Sequence, residues 1–330
     1  MCITFSLLYA GVYVEREKVT PAVGIRFKFE KKVFKNSTRY EYMRKLVEMI
    51  IEGQYSYDGA GVKLRRIFGG ANIAKYTDPF LLLDNFGSKD PKDYEKGFPW
   101  HPHRGIETVT YVLEGRVKHR DSTGISGVIE KGELQWMTAG SGIFHEEMPQ
   151  VEKNGNSGLQ LWVNLPKEQK MAKPKYRNLK DKSMPVVKDS YNNSIKVIAG
   201  RRADAIGPIS DLAVPISYFI VEIGRNSYFS QNVPEGHTAI AYVLSGRLKV
   251  SDDTEIADGT AAVYKRSGDS VAFSTAGDGA KFMLISGKPL NEPIAWYGPI
   301  VMNYKQELVK AYEELENNSF IKDSGNVEDL

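Results

Sequence analysis

The chain has 330 residues, 42% of them hydrophobic, and this length predicts two globular domains that each bury a core. Its 44 Lys and Arg residues nearly balance its 41 Asp and Glu residues, so the net charge provides no argument for binding to nucleic acid. The single cysteine, Cys2, excludes an intramolecular disulfide framework and a zinc site built from cysteines.

Residues 1–52 are interpreted as an N-terminal extension, because the motifs described below begin after them. The apolar run at 3–14 is too short to span a bilayer and lacks the basic start of a signal peptide, so we expect a cytoplasmic protein with no membrane contact. Within the extension, VGIRFKF alternates as a strand does, and RKLVEMIIEG predicts a short helix that ends at Gly53.

Three interpretations of the basic stretch 28–45 and the residues before it stay open. They are a solvated extension, a chain whose translation starts at Met43, and a basic docking arm. We expect residues 1–42 to be dispensable for the fold, because the recognisable pattern starts later.

Strand-like segments follow between turn signals. Glycines flank the mixed basic and apolar strand VKLRRIF, and DPFLLLDNF predicts a buried strand bounded by Asp and Pro. A polar loop at 88–97 comes next. Further strands are expected at 106–113, 134–137, 143–147 and 158–165, and the small-residue turn TAGSG precedes the third of them.

Two short motifs stand out among these segments, HPH and HEE, which hold three of the five histidines of the chain. Residues two apart in a strand point to the same face, so His101 pairs with His103, and His145 pairs with Glu147. If the two strands face each other inside a barrel, three imidazoles and one carboxylate converge. Such a set suits a divalent transition metal and leaves coordination positions open for a substrate oxygen or dioxygen.

The surrounding sequence resembles the pirin family of the cupin superfamily. The similarity is carried by GFPWHPHRGIETVTYVLEGRVKHRDSTG, KGELQWMTAGSGIFHEEMP and GLQLWVNLP, begins near Gly59 with GAGVKLRRIFGG, and extends through WYGPIVMN to about Gln306. The resemblance implies an all-β fold of two cupin (jelly-roll-like) β-barrels in tandem. It also implies one iron ion in the first barrel, most simply Fe(II), with these ligands: His101, His103, His145 and Glu147. Manganese, nickel, cobalt or copper could substitute.

A second carboxylate, Glu107, matches the metal-binding Glu that follows H-x-H in the general cupin pattern. In the pirin pattern the carboxylate instead lies two residues after the later histidine, so we assign the ligand to Glu147 and expect Glu107 to support the ligands or to be unused. Further residues could line a pocket, although ordinary barrel packing explains each of them equally well: Phe98, Trp100, Trp136, Phe144 and Gln160.

The second half of the chain repeats part of the first. YVLEGRVK at 111–118 and YVLSGRLK at 242–249 share six of eight positions, which predicts two copies of one barrel. We expect a metal-binding barrel at 53–165, an exposed, lysine-rich linker at 166–185, and a second barrel at 186–300. Only His237 remains in the second barrel, so we expect it to hold no metal.

Residues 301–330 predict a C-terminal helix and tail. Asn303 and Gln306 have the spacing of a capping box, Leu308, Tyr312 and Leu315 fall on one helical face, and 320–330 is a polar tail that we expect to fray.

The resemblance implies two kinds of function. Some family members are quercetin 2,3-dioxygenases, which open the flavonol ring with O2 and release carbon monoxide. Others are iron-dependent binding modules that modulate transcription factors. The enzyme would take a flavonol-like aromatic substrate and O2, with Glu147 as both ligand and general base. The module would take a protein partner instead. A storage or scaffold protein has no need of four ligands and is disfavoured. Neither nucleic-acid nor membrane binding is expected.

Overall fold

The computed structural model describes residues 43–323 and the backbone of residues 326–329. The predictions for residues 1–42 lie outside these described residues. Within the described ranges, no helix has the length and apolar character needed to cross a membrane.

Strands make up most of the described chain. They are, in order, β1 (Val47–Glu52), β2 (Gln54–Asp58), β3 (Val62–Gly69), β4 (Phe80–Ser88), β5 (Phe98–His103), β6 (Ile106–Glu114), β7 (Arg116–Asp121), β8 (Ser126–Glu130), β9 (Leu134–Thr138), β10 (Ile143–Pro149), β11 (Asn156–Asn164), β12 (Lys175–Leu179), β13 (Val186–Lys188), β14 (Ser194–Ala199), β15 (Arg201–Arg202), β16 (Ala205–Ile206), β17 (Ile216–Ile223), β18 (Tyr228–Asn232), β19 (Thr238–Lys249), β20 (Glu255–Ala257), β21 (Thr260–Tyr264), β22 (Ser270–Ser274), β23 (Ala280–Gly287), β24 (Ala295–Tyr297), β25 (Ile300–Met302) and β26 (Asn326–Asp329). The α-helices are α1 (Ala71–Thr77) and α2 (Lys305–Glu316), and short 3₁₀ turns lie at Pro91–Asp93, Lys167–Gln169 and Asp181–Ser183.

These strands form the two β-barrels that were expected, followed by the C-terminal helix. The first barrel has a sheet ordered β2-β3-β4-β11-β6-β9-β12-β26 and a smaller sheet ordered β5-β10-β7-β8. In the second barrel the main path is β1-β21-β19-β23-β17-β14-β13, with β18, β20 and β22 attached beside it. The predicted all-β tandem fold is therefore confirmed.

The two barrels share one hydrophobic core. Tyr111 and Tyr242, which begin the two copies of the sequence repeat, are both buried in the same cluster. Val109 and Leu161 of the first barrel pack there with Ile240 of the second. Because side chains alternate along a strand, the intervening residues of β6 and β11 point into the first barrel instead.

The interiors of the two barrels differ in chemistry. The second barrel is filled by an apolar cluster that includes Phe229, Phe273 and Phe282. The first barrel places Thr110 of β6 and Gln160 of β11 in hydrogen-bond contact with the smaller sheet that faces them. The first barrel therefore has a polar interior where a ligand can bind.

The helix predicted at RKLVEMIIEG is wrong, because this segment contains strand β1. Strand β1 pairs antiparallel with β21 of the second barrel, with Val47 opposite Tyr264 and Ile51 opposite Ala261. Alternate residues of β1 are half-buried, so the apolar run serves a sheet rather than a helix. Lys45 precedes the strand, is buried, and donates from Nζ to the carbonyl oxygen of Arg266 at 2.8 Å.

The expectation of an exposed linker also needs correction. Strand β12 lies inside 166–185 and pairs with β9 of the first barrel, while Lys170, Tyr176 and Arg177 are buried. The lysine content misled the prediction, because Lys170 donates hydrogen bonds to buried acceptors instead of facing solvent. The domain boundaries themselves stay a prediction.

The C-terminal prediction is right for the helix and wrong for its cap and tail. Helix α2 begins one residue later than predicted, and the Glu307 carboxylate, not Gln306, accepts from the N–H groups of Asn303 and Tyr304. The predicted apolar face packs against a buried cluster that includes Phe320. Strand β26 pairs with β12, so the tail does not fray there.

The pairing of β1 generates a prediction about truncation. A chain that starts at Met43 should keep the melting temperature of the full chain, since it keeps β1. A chain that starts at Gly53 should melt lower by on the order of 10 °C, because three half-buried apolar side chains are lost and the edge of β21 is exposed. Thermal unfolding followed by circular dichroism measures both, and a large loss on deleting only residues 1–42 would contradict the expectation for that segment.

Candidate metal centre

Three histidines meet inside the first barrel. His101 and His103 lie on β5 and His145 lies on the adjacent strand β10, with His145 opposite His101 and Ile143 opposite His103. One ring nitrogen from each of the three imidazoles lies within 4.8 Å of the others. His103 and His145 are buried and His101 is half-buried, and both His101 and His103 line a cavity.

Backbone carbonyls fix the orientation of two of the rings. Nδ1 of His101 lies 2.8 Å from the carbonyl oxygen of Pro99, and Nδ1 of His103 lies 3.2 Å from that of Pro299. A carbonyl only accepts, so each Nδ1 carries the proton of a neutral imidazole and each Nε2 has a free lone pair. The two Nε2 atoms are only 3.0 Å apart. Facing lone pairs at this distance repel unless a cation is shared between them.

The third ring fits the same cation. Both ring nitrogens of His145 are buried and have no hydrogen-bond partner within the described part of the chain. Burial lowers the pKa of His101, and it lowers the pKa values of His103 and His145 far more, with the neighbouring imidazoles adding to the effect. The three rings are therefore neutral near pH 7, which is the form that binds metals, and their donor set suits a divalent transition metal.

Glu147 lies two residues after His145 on the buried face of β10 and lines the same cavity as His101 and His103. Its carboxylate is held by the facing sheet, since Oε1 accepts from Thr110 Oγ1 at 2.7 Å and Oε2 accepts from Gln160 Nε2 at 2.8 Å. It is outside the group of donor atoms that lie within 4.8 Å of one another. Burial raises the pKa of Glu147, and the two hydrogen bonds partly oppose this rise.

Glu107 belongs to a different environment. Its carboxylate accepts from Trp136 Nε1 at 3.0 Å and from Thr138 Oγ1 at 2.6 Å, and Arg177 lies 3.8 Å away. Trp136 is fully buried in the core between the barrels, so the structure places neither residue in the cavity wall. Glu107 is a buried carboxylate that accepts from Trp136 and Thr138 and lies outside the cavity wall.

The cavity beside the histidines has a volume of ≈ 640 Å³. Phe98 and Gln160 line it, as the sequence suggested. Phe144 does not, because it stacks on Trp100 with the ring centroids 6.2 Å apart. The remaining wall is partly aromatic and partly charged, and includes these side chains: Phe86, Trp162, Trp296, Asp58, Arg66 and Asp84.

Sequence reasoning missed the contribution of the hairpin formed by β24 and β25. This hairpin follows the second barrel in the chain, yet Trp296 and Pro299 line the cavity of the first. Trp162 stacks edge-on against His103 at 5.1 Å and lies 5.8 Å from Trp296. The motif WYGPIVMN was the available signal, but nothing local in it specifies contact with a histidine about 200 residues earlier.

Two buried basic side chains tie the end of β5 to distant segments. Arg104 donates to Glu314 Oε2 of α2, to the carbonyl oxygen of Ser141 and to that of Phe320, each at 2.7 Å. Lys170 Nζ donates to the carbonyl oxygens of Gly105 at 2.8 Å and Val301 at 3.0 Å, and to Asn164 Oδ1. These bonds hold the strand that carries His101 and His103 against both helix α2 and the hairpin.

Comparisons with known proteins agree with this architecture. The family model described as Pirin matches residues 61–163, and the model described as Pirin C-terminal cupin domain matches residues 218–321. A putative quercetin 2,3-dioxygenase of Thermoplasma acidophilum is 44% identical over 72% of this chain and 97% of its own length.

Two solved structures are also similar. The crystal structure of a quercetin 2,3-dioxygenase from Acinetobacter baumannii is 35% identical, covers 84% of this chain and 99% of its own, and has a TM-score of 0.78. A bacterial pirin of Escherichia coli, solved in complex with nickel(II), is 17% identical over 73% of this chain and 98% of its own. Its TM-score of 0.57 supports the shared fold.

The histidine cluster generates a prediction about metal content. His101→Ala and His145→Ala should each weaken metal binding by at least ~100-fold, because each removes a donor that faces the shared position. His237→Ala is the matched control, since His237 lies in the second barrel and outside the cluster. Elemental analysis after dialysis measures bound metal per chain. Full retention of metal in both cluster variants would contradict the assignment.

The anchor at Arg104 generates a prediction about stability. Arg104→Met should lower the free energy of unfolding by roughly 1–3 kcal/mol, because the carbonyl oxygens of Ser141 and Phe320 lose a buried donor and Glu314 keeps only Lys322 as a partner. Arg120→Met is the matched control, because Arg120 pairs with Glu146 on the exposed surface and its loss should leave stability unchanged. Chemical denaturation of the two variants measures the difference, and equal midpoints would show that Arg104 is not an anchor.

Proposed function

Because this chain belongs to the pirin family of cupin proteins, we propose that it is a metal-dependent dioxygenase of the quercetin 2,3-dioxygenase type. One Fe(II) ion is bound by His101, His103, His145 and Glu147. The observation that carries the proposal is the 3.0 Å separation of the His101 and His103 Nε2 atoms at the wall of a cavity large enough for a flavonol. Relatives named as quercetin 2,3-dioxygenases support the choice of reaction.

The donor set supports the choice of metal. Three neutral imidazoles and one carboxylate suit iron and its first-row neighbours, and the histidine cluster offers no cysteine that would favour zinc. Manganese, nickel, cobalt and copper fit the same donors, and one structural relative was solved with nickel(II). Glu147 completes the set because it lies on the same face of β10 as His145 and lines the cavity.

The cavity supports the choice of substrate. Its ≈ 640 Å³ falls within the range of about 300–1,000 Å³ that is typical of sites for small organic ligands. Phe98, Trp162 and Trp296 give it flat apolar walls that suit a planar aromatic ring system. When bound, iron supplies a Lewis acid for the enol oxygens of a flavonol and the redox chemistry that dioxygen needs.

The residues of the chain supply the proton chemistry. The Glu147 carboxylate takes the proton of the substrate hydroxyl, since it lines the cavity in which the substrate would bind. Thr110 and Gln160 hold the two carboxylate oxygens in place for the transfer. No separate catalytic base is needed, since one residue both binds the metal and accepts the proton.

Quercetin turnover tests the proposal. Iron-loaded protein should consume quercetin in air and release one carbon monoxide per quercetin, and Glu147→Gln should lower the rate by at least ~100-fold, as expected for loss of a general base. Glu146→Gln is the matched control, because Glu146 is the adjacent residue on the opposite face of β10 and pairs with Arg120. Metal content is measured in both variants, so that loss of the base is separated from loss of the metal.

A negative result has a defined meaning. If wild-type protein loaded in turn with iron, manganese, nickel, cobalt and copper shows no loss of quercetin and no carbon monoxide, the enzyme proposal fails for flavonols. The alternative is then an iron-dependent binding module that modulates a protein partner. This alternative predicts that the amount of protein partner bound by the iron-loaded protein differs between reducing and oxidising conditions.

A further inference from the structure

One wall of the cavity holds charged groups that the proposed reaction does not use. Arg66 of β3 is directly opposite Asp84 of β4, and Asp58 ends strand β2. All three side chains line the same cavity as His101 and His103. They form a cluster, here called the arginine fork, that consists of Arg66, Asp58 and Asp84.

Two carboxylates hold the guanidinium of the fork in one orientation. Arg66 Nε donates to Asp84 Oδ1 at 2.9 Å, and Nη2 donates to Asp84 Oδ2 and to Asp58 Oδ2, both at 2.8 Å. Asp84 is buried, whereas the Arg66 side chain is 35% exposed, so the bidentate pair is anchored on the aspartate side and accessible on the arginine side. A guanidinium fixed in this way loses little further entropy when a ligand binds to it.

The fork leaves donors and acceptors for a ligand. Nη1 of Arg66 has no hydrogen-bond partner in the described part of the chain, although Nε and Nη2 are both engaged. Asp58 is half exposed, so its carboxylate retains lone pairs that can accept another hydrogen bond. A hydroxyl group of a ligand can pair with this donor and this acceptor at once, because it accepts from Arg66 Nη1 and donates to the Asp58 carboxylate.

A structural role alone explains the fork poorly. An Arg–Asp pair whose arginine is 35% exposed contributes little to stability, because solvent screens its attraction. The second barrel shows that this fold fills its interior with apolar side chains where no ligand is proposed. The fork instead places a rigid polar recognition element in a wall that also includes Phe86, Phe98 and two tryptophans.

We infer that the arginine fork determines substrate specificity: it binds a hydroxyl group of an aromatic substrate other than the oxygens that face the metal. The inference rests on the proposed function, since it concerns the same cavity. It narrows the substrate class to polyhydroxylated aromatic compounds. An aromatic enol without further hydroxyl groups should bind much more weakly.

Binding without turnover tests the inference. Two ligands are compared on iron-loaded protein without oxygen by quenching of protein fluorescence: quercetin, and 3-hydroxyflavone, which has the enol and carbonyl but no other hydroxyl. Wild-type protein should bind quercetin about tenfold more tightly or better, as expected for one hydrogen bond to a charged group. Arg66→Lys and Asp58→Asn should lose that advantage for quercetin and bind 3-hydroxyflavone as the wild type does.

Lys63→Met is the matched control, because Lys63 is a cation on the same strand that pairs with Asp93 and does not line the cavity. It should leave both affinities unchanged. Equal affinities of wild-type protein for the two ligands overturn the inference and leave the proposed function standing. Equal weakening of both ligands in the fork variants also overturns it, because that pattern indicates a structural role. Absence of binding of either ligand to metal-loaded wild-type protein overturns the proposed function, and the inference with it.

Discussion

The site depends on the close approach of two imidazole nitrogens, His101 Nε2 and His103 Nε2, which lie 3.0 Å apart with no proton left to share between them once each Nδ1 is protonated. This arrangement is unfavourable by itself, and it persists because the Nδ1 atoms of His101 and His103 are already committed to carbonyl oxygens. One of those carbonyls belongs to Pro299, beyond the second barrel. The chain therefore uses its C-terminal hairpin to orient a ligand of its first barrel. Arg104 and Lys170 hold the hairpin, helix α2 and strand β5 together around this contact.

The two barrels share a sequence repeat but differ in what they bury: the second buries mainly apolar side chains, and the first also buries polar ones. Tyr111 and Tyr242 occupy corresponding positions of the repeat and meet in one apolar core between the barrels. The second barrel buries a further apolar cluster, while the first keeps polar groups inside. Burying polar groups costs free energy unless each finds a partner. The shared core and the apolar second barrel provide hydrophobic stabilisation that offsets this cost.

A row of polar side chains across the large sheet of the first barrel connects the reactive end of the cavity with the arginine fork. Arg66, Asp84, Gln160 and Thr110 are direct neighbours on successive strands, and all of them point inward. Gln160 and Thr110 hold Glu147, and Asp84 holds Arg66. One row of the sheet therefore positions both the proposed base and the proposed specificity element, because strand register sets their spacing.

The sequence by itself determined the features that depend on local periodicity. Residues two apart share a face of a strand, so the pairing of His101 with His103 followed from spacing, as did the two barrels from the repeat. Tertiary structure decided the secondary structure of the apolar segment at β1. Its composition suited a helix, but it is a strand because it forms backbone hydrogen bonds with the edge of β21. It also decided that Trp136 faces the other barrel, that Lys170 is buried, and that Trp296 and Pro299 complete the cavity. These outcomes depend on contacts between residues far apart in the chain, and local spacing carries no information about which distant segments will meet.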